Sequence, residues 1–178
     1  MNALSREGIV QLLKDFQEGY HKKDIQNISQ FVEKLFVMDE PVYYGTSGME
    51  QFIGRESISH LIELDWRYWG VLTINFDQLK IHCSDNYGDF ITTAALVWDV
   101  SQKDRLQRWY GDIADCAFPP EGESDSRTVR KVLMKTAQYF SELAEGERHH
   151  YQLRISGAAR KVDGIWKITS MHMSEPNL

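Results

Sequence analysis

The chain has 178 residues, a length typical of one domain, and its 42% apolar and 26% charged residues are ordinary for a globular protein. A formal net charge of −6 with scattered basic residues argues against nucleic-acid binding, which depends on clustered Lys and Arg. No apolar run approaches the roughly 20 residues that cross a bilayer, so we expect no membrane partner. Residues 1–14 lack the apolar segment of a signal peptide, which favours a cytoplasmic location.

The sequence contains few signs of metal or cofactor chemistry. Cys83 and Cys116 have neither Cys-x-x-Cys spacing nor a companion His, so we expect two reduced thiols. His149 and His150 resemble half of a metal site, but adjacent residues of a strand face opposite sides. A Gly-rich phosphate loop, a nucleophile elbow and a His-Glu-x-x-His motif are all missing from the sequence. We therefore expect neither a metal nor a cofactor.

The N-terminal third of the chain has helical periodicity. Residues 4–21 place apolar side chains at i, i+3, i+4 and i+7, which predicts an amphipathic helix. Asp24 is a suitable N-cap for a second helix that reaches Leu35, and residues 42–44 form a short strand after Pro41. Gly54 precedes a third helix, predicted over residues 55–69.

The pattern changes to strands after the third helix. Residues 71–84 and 88–101 are predicted as two strands, and residues 147–162 and 165–174 as two more, joined by the hairpin turn Asp163-Gly164. The resulting order of elements predicts an α+β fold, in which helices cover one face of a long antiparallel sheet. Nothing divides residues 1–178 into separate domains.

An insertion over about residues 102–146 separates the two pairs of strands. Its second half carries a helical apolar stripe from Val129 to Phe140, which predicts one helix. The acidic stretch 121–125 has turn composition and is expected to be mobile. A connection of this length is usually functional, so we expect a lid over a cavity or an arm across a dimer partner.

Three segments carry a resemblance to a known family. Residues 18–24 (EGYHKKD) resemble its break between the first two helices, and residues 44–46 (YGT) with 54–58 (GRESI) resemble the entry to its third helix. Residues 163–174 (DGIWKITSMHMS) resemble its closing strand. The chain thus resembles the SnoaL-like branch of the nuclear-transport-factor-2-like superfamily. The resemblance implies a cone-shaped curved antiparallel sheet packed on three N-terminal helices, and functions that range from cyclases, isomerases and dehydratases to association domains and non-catalytic binders.

Two residues are candidates for acid–base chemistry. On the third helix, Asp65 lies in the middle of the apolar arc, so its carboxylate is predicted to face the interior, either as a cavity acid or base or as a structural hydrogen-bonding group. On the closing strand, regular alternation from Trp166 places His172 on the inner face. An inward Asp and an inward His could act as an acid–base pair, although a β-bulge would reverse the orientation of His172.

Several other side chains are candidates for binding a ligand. Aromatic residues suit the wall of an apolar pocket, and four are candidates here: Tyr44, Trp66, Trp69 and Trp98. Arg154 has the opposite parity from His172 and is either a surface residue or an anchor for an anionic ligand.

Two functions remain open. The favoured interpretation is a binding or association module with an internal, largely apolar cavity for a small apolar or aromatic molecule. The alternative is an enzyme that transfers protons on a carbonyl-type substrate, with Asp65 as base and His172 as its partner. The absence of a second inward acid or Tyr donor favours binding. Apolar residues of outward parity, such as Val97 and Met171, also predict a homodimer through the outer sheet face.

Overall fold

A computed structural model describes residues 3–46, 50–117, 124–144 and 148–175. The chain forms two compact units: residues 1–97 with 150–178, and residues 98–149. The predicted insertion, residues 102–146, falls within the second unit. Among the described residues, no helix is both long and apolar enough to cross a membrane.

Three α-helices of the described residues belong to the first unit, and each lies close to its predicted bounds. Helix α1 spans Ala3–Lys22, and α2 spans Ile28–Leu35 after a 3-10 turn at Ile25–Asn27. Helix α3 spans Arg55–Tyr68, and its N-cap Gly54 has a φ of 82°, a conformation that favours glycine. The guanidinium of Arg55 donates to the carbonyl oxygens of Phe36 and Val37, which fixes the start of α3 to the chain that follows α2.

Seven strands form one sheet in the order β2-β1-β7-β6-β5-β3, with β4 paired to β5 beside that path. Their bounds are β1 Val42–Tyr44, β2 Gln51–Ile53, β3 Val71–Ile74, β4 Lys80–Cys83, β5 Tyr87–Asp99, β6 Arg148–Val162 and β7 Ile165–Ser174. The sheet is mixed, because β1 runs parallel to β7. The predicted α+β fold with a curved sheet is confirmed, and the β1–β7 pair departs from the antiparallel pairing named in that prediction. The short β1 comes between two helices and has no hairpin link to β7 that would require antiparallel pairing.

The sheet differs from the prediction at two further places. The strand predicted over residues 71–84 is two strands, because Asn75 accepts hydrogen bonds from the backbone N–H groups of Asp77 and Gln78 and so caps a 3-10 turn between β3 and β4. Strand β2 was not predicted, since three residues are too few to show alternation.

A β-bulge in β7 decides which side chains reach the interior. Ala158 pairs with Ser170, but Ala159 pairs with Ile168, so Thr169 is an extra residue on β7. Before the bulge the even-numbered Ile168 is buried, whereas after it the odd-numbered Met171 and Met173 are buried at 1% and 0% exposure. Met171 was predicted to face outward, and this prediction was wrong because the bulge shifts the alternation of β7 by one residue.

The interior of the first unit is formed by α1, α2 and α3 together with the inner face of the sheet. Its buried apolar residues come from all of these elements and include Phe16 and Tyr20 of α1, Val32 of α2, Ile62 and Trp66 of α3, and Leu72, Phe90 and Ile155 of the sheet. The apolar residues of α1 have the predicted helical spacing, and burial of the stripe that they form stabilises this helix.

The second unit contains two helices, α4 Gln102–Ala117 and α5 Asp125–Ala144. The helix predicted around Val129 to Phe140 is confirmed as α5, whereas α4 was not predicted. The rings of Trp109 and Tyr139 stack across the pair with centroids 5.2 Å apart. The predicted mobile stretch lies outside the described residues except for its last two positions, and Asp125 begins α5.

Candidate functional site

The candidate site centres on Asp65, in the last two turns of α3. The buried residues of this helix are Ile58, Leu61, Ile62, Asp65 and Trp66, so the carboxylate shares the apolar face as the helical period predicts. Asp65 is 5% exposed. A carboxylate in such surroundings requires a hydrogen-bond donor or a proton.

Tyr20 of α1 supplies the donor. Its hydroxyl donates to Oδ2 of Asp65 over 2.6 Å, and both side chains are buried. Burial raises the pKa of Asp65 from 3.8 to about 7. The Tyr20 hydrogen bond and the Lys23 ammonium oppose that rise in the pKa, whereas the carboxylate of Glu50 adds to it. Near neutral pH, Asp65 is therefore able both to accept and to donate a proton.

Two phenols stand beside this carboxyl and remain neutral. Burial, and secondly the charge of Asp65, raise the pKa values of Tyr20 and Tyr43 well above 10. The hydroxyls of Tyr20 and Tyr43 are close enough for each to influence the pKa of the other. The Tyr43 hydroxyl nevertheless makes no hydrogen bond of normal geometry with the described residues. The indole N–H of Trp66 is also buried and lacks a partner within the described part of the chain. Two donors near Asp65 in the chain or in its electrostatic surroundings, the Trp66 N–H and the Tyr43 hydroxyl, are thus buried without a hydrogen bond of normal geometry to a described residue.

Lys23 directly follows α1, at the start of the short break before the 3-10 turn. Its ammonium donates to the carbonyl oxygen of Trp69, just after α3, over 2.5 Å. Its backbone φ of 50° is unusual for a residue with a side chain. Burial lowers the pKa of Lys23, and the nearby Asp65 partly restores it. Lys23 therefore joins the ends of α1 and α3 beside the buried carboxyl.

The predicted pairing of Asp65 with His172 was wrong. His172 lies after the bulge in β7 and is exposed, whereas Asp65 is buried. The ring of His172 instead meets that of Tyr44 edge-on, with centroids 6.1 Å apart, and the two residues are register partners on β7 and β1. Tyr44 is 44% exposed, so it does not line the interior as predicted. Alternation along β1 turns its neighbour Tyr43 inward instead.

The remaining predicted binding residues occupy different places. Trp66 is buried in the core, where its ring lies 4.9 Å from that of Phe31, and Trp69 is half-buried against the same core. Arg154 is exposed on β6, opposite Ser174, and is a surface residue. Trp98 belongs to the second unit, where the guanidinium of Arg108 lies 4.7 Å from its ring centroid.

Sequence reasoning did not select Tyr20, Tyr43 or Glu50. Tyr20 was assigned only to the apolar stripe of α1, although a Tyr at a fully buried position needs a partner for its hydroxyl. Tyr43 had a signal in the alternation of β1, because only one of two adjacent Tyr residues can face inward. Glu50 had no sequence signal, since its proximity to the site depends on the path of the chain after β1. The described residues contain no group of three or more His, Cys, Asp or Glu that could hold a metal ion.

No family model and no curated protein matches the sequence. Solved structures do match: a proposed dehydratase of the NTF2-like family from Streptomyces avermitilis has a TM-score of 0.64 at 11% identity, covering 99% of this chain and 100% of that one. The fold is NTF2-like, that is, the nuclear-transport-factor-2-like fold. An NTF2-like protein of unknown function from Pseudomonas putida KT2440 has a TM-score of 0.59 at 15% identity, covering 99% and 89% of the two chains.

A further matching structure is that of an enzyme. The hexachlorocyclohexane dehydrochlorinase LinA-type3 from Novosphingobium barchaimii LL02 has a TM-score of 0.59 at 13% identity, covering 98% of this chain and 88% of that one. At these identities the similarity shows the fold alone, because one fold supports many functions.

Proposed function

We propose that this NTF2-like chain is an acid–base catalyst that transfers a proton on a small carbonyl-type substrate, with Asp65 as the general base. The observation that carries the proposal is the buried contact between Asp65 and the Tyr20 hydroxyl, in surroundings that bring the pKa of Asp65 to about 7. A general base is most effective when its pKa lies near the working pH. Perturbed carboxyls of this kind are typical of functional sites.

The Tyr43 hydroxyl and the Trp66 indole N–H support a carbonyl-type substrate. Both are buried, and neither makes a hydrogen bond of normal geometry with the described residues. Removal of a proton next to a carbonyl places negative charge on its oxygen, and neutral donors aimed at that oxygen stabilise the transition state. A phenol whose pKa lies well above 10 remains such a donor across the physiological range. Inward Tyr donors are the feature whose apparent absence had favoured a binding module.

A small-molecule-binding module without turnover is the second candidate. The exposure of His172 favours it, because imidazole is the commonest proton carrier near neutral pH and this one faces away from Asp65. The ligand would be a small apolar or aromatic compound, in keeping with the aromatic residues around Trp66.

Proton abstraction from 5-nitrobenzisoxazole tests the first candidate, because this probe requires only a base in an apolar site. The base removes the C–H proton, the N–O bond breaks, and a coloured cyanophenolate forms. We expect turnover that rises with pH around a midpoint near 7, and its loss in Asp65→Asn, which cannot accept the proton. Glu63→Gln is the matched control, since Glu63 lies on the same helix but is paired with Arg67 at the surface.

Equal turnover in Asp65→Asn and the parent protein would refute catalysis by this carboxyl. Binding of 2-naphthol, followed by quenching of tryptophan fluorescence, distinguishes the second candidate. Saturable binding without turnover of any probe would support the binding module over the enzyme.

We also propose that two copies associate through the outer face of the sheet. Ile53, Val71 and Ile91 have outward parity and are 51%, 44% and 52% exposed, which is more apolar surface than a fully solvated sheet face usually carries. Light scattering at micromolar concentration should give the mass of a dimer, and Ile53→Lys should reduce it to that of a monomer. A monomeric parent protein would refute the association.

A further inference from the structure

Gly45 opens a space on the inner face of the sheet beside Tyr43. It follows β1 directly and is buried, and it continues the alternation that turns Tyr43 inward and Tyr44 outward. A Cβ at this glycine would point to the same side as the Tyr43 phenol. That space is occupied by Glu50: its carboxylate oxygen Oε2 lies within clashing distance of where the Cβ would be, and its own Cβ lies 2.8 Å away.

The backbone holds Glu50 in this place. The N–H of Gly45 donates to the carbonyl oxygen of Glu50 over 3.0 Å, which closes the connection between β1 and β2. Glu50 is half-buried, whereas Asp65 is 5% exposed. The contact at Gly45 brings Glu50 to the side of the sheet that Tyr43 faces, and the charge of Glu50 acts on both Tyr43 of β1 and Asp65 of α3.

We propose that Glu50 is a second carboxylate of the candidate site, admitted to the inner face by the missing side chain at Gly45, and that it acts on the reaction through Asp65. A neighbouring negative charge opposes the ionisation of a buried carboxyl, so the charge of Glu50 raises the pKa of Asp65. Glu50 is therefore a positioning residue, which keeps a proton on Asp65 up to higher pH than burial alone would. For its effect on turnover, the inference rests on the proposed proton-transfer function.

The other groups that face Asp65 do not replace this role. The hydrogen bond from Tyr20 and the charge of Lys23 both lower the pKa of Asp65, and Tyr43 is a neutral phenol. Apart from burial, the charge of Glu50 is the influence that raises the pKa of Asp65. Removing the charge of Glu50 should therefore lower the pKa of Asp65.

The test compares the pKa of Asp65 in the parent protein, Glu50→Gln and Gly45→Ala by NMR of its carboxyl carbon. We expect Glu50→Gln to lower the pKa of Asp65 by at least about half a unit, since a nearby like charge is removed. Gly45→Ala should shift it in the same direction without changing any charged residue, because the new Cβ clashes with both the carboxylate and the Cβ of Glu50 and so displaces the whole side chain. Glu63→Gln, which removes an exposed carboxylate from the helix of Asp65, should leave that pKa in place.

Turnover of 5-nitrobenzisoxazole adds a second measurement. The midpoint of its pH profile should move to lower pH in Glu50→Gln and Gly45→Ala by the same amount as the pKa of Asp65. An unchanged pKa in Glu50→Gln would overturn the role of Glu50, whatever the turnover. If the parent protein shows no turnover but Glu50→Gln still lowers the pKa, the proposed function fails while the pairing of the carboxylates is supported.

Discussion

Replacing Asp65 with Asn should change how the stability of the protein depends on pH. The pKa of Asp65 is raised in the folded protein from 3.8 to about 7. The folded state therefore binds a proton that the unfolded chain releases as the pH rises above about 4. By linkage, the free energy of unfolding falls between about pH 4 and 7, and the loss is complete above the folded-state pKa.

The size of this effect follows from the difference between the two pKa values. A shift from 3.8 to about 7 corresponds to roughly 4 kcal/mol at about 1.4 kcal/mol per unit, all of it unfavourable to folding at high pH. Asn at position 65 is neutral at every pH and can still accept the 2.6 Å hydrogen bond from Tyr20. We therefore expect Asp65→Asn to be close to the parent protein in stability near pH 4 and more stable by several kcal/mol above pH 8.

Urea denaturation followed by tryptophan fluorescence at several pH values between 4 and 9 measures this difference. Carboxyls remote from Asp65 titrate alike in both proteins, so the difference between the two curves reports Asp65 together with the groups coupled to it. Glu63→Gln provides the control, because its free energy of unfolding should differ from that of the parent protein by an amount that changes little with pH. If Asp65→Asn and the parent protein gave parallel curves, Asp65 would be ionised in the folded state over the whole range, and the reasoning from burial would be refuted.

Three other substitutions test separate parts of the structure. Tyr20→Phe removes the donor that lowers the pKa of Asp65, so that pKa should rise above 7 in a carboxyl NMR titration. Met171→Ala should destabilise the protein by about 2–5 kcal/mol in urea denaturation, and His172→Ala by less than about 0.5 kcal/mol; the reverse order would contradict the bulge in β7. Trp109→Ala removes the aromatic stack between α4 and α5 and should reduce the helical circular dichroism without lowering the main unfolding transition; unchanged helicity would refute its role.

The elements that could be predicted from the sequence are those with a long, regular period. Helix α1 lies within one residue of its predicted bounds, because five apolar residues mark a single face over its length. Strand β7 has its predicted bounds because Asp163-Gly164 fixes the hairpin turn, with φ values of 51° and 82°. The inward orientation of Asp65 likewise followed from helical geometry alone.

The prediction for His172 failed because strict alternation was extended across a bulge, yet the sequence carries a sign of that bulge. Apolar residues occupy positions 166 and 168 and then 171 and 173, so the alternation shifts by one residue at Thr169-Ser170. A register that follows the apolar residues buries both methionines and turns the imidazole outward. No comparable sign marks Glu50, because its place beside Gly45 depends on contacts between distant positions.

These two local features together determine what chemistry the inner face can support. The bulge turns the imidazole of His172 to the exposed side of the sheet, and the glycine after β1 lets the carboxylate of Glu50 onto the inner side. The described groups around Asp65 are then phenols, one carboxylate and one ammonium. Neutral phenols with raised pKa values keep their protons near neutral pH, so the protonation of Asp65 governs whether the site can accept a proton. Any pH dependence of binding or turnover near neutrality should therefore disappear in Asp65→Asn and persist in His172→Ala.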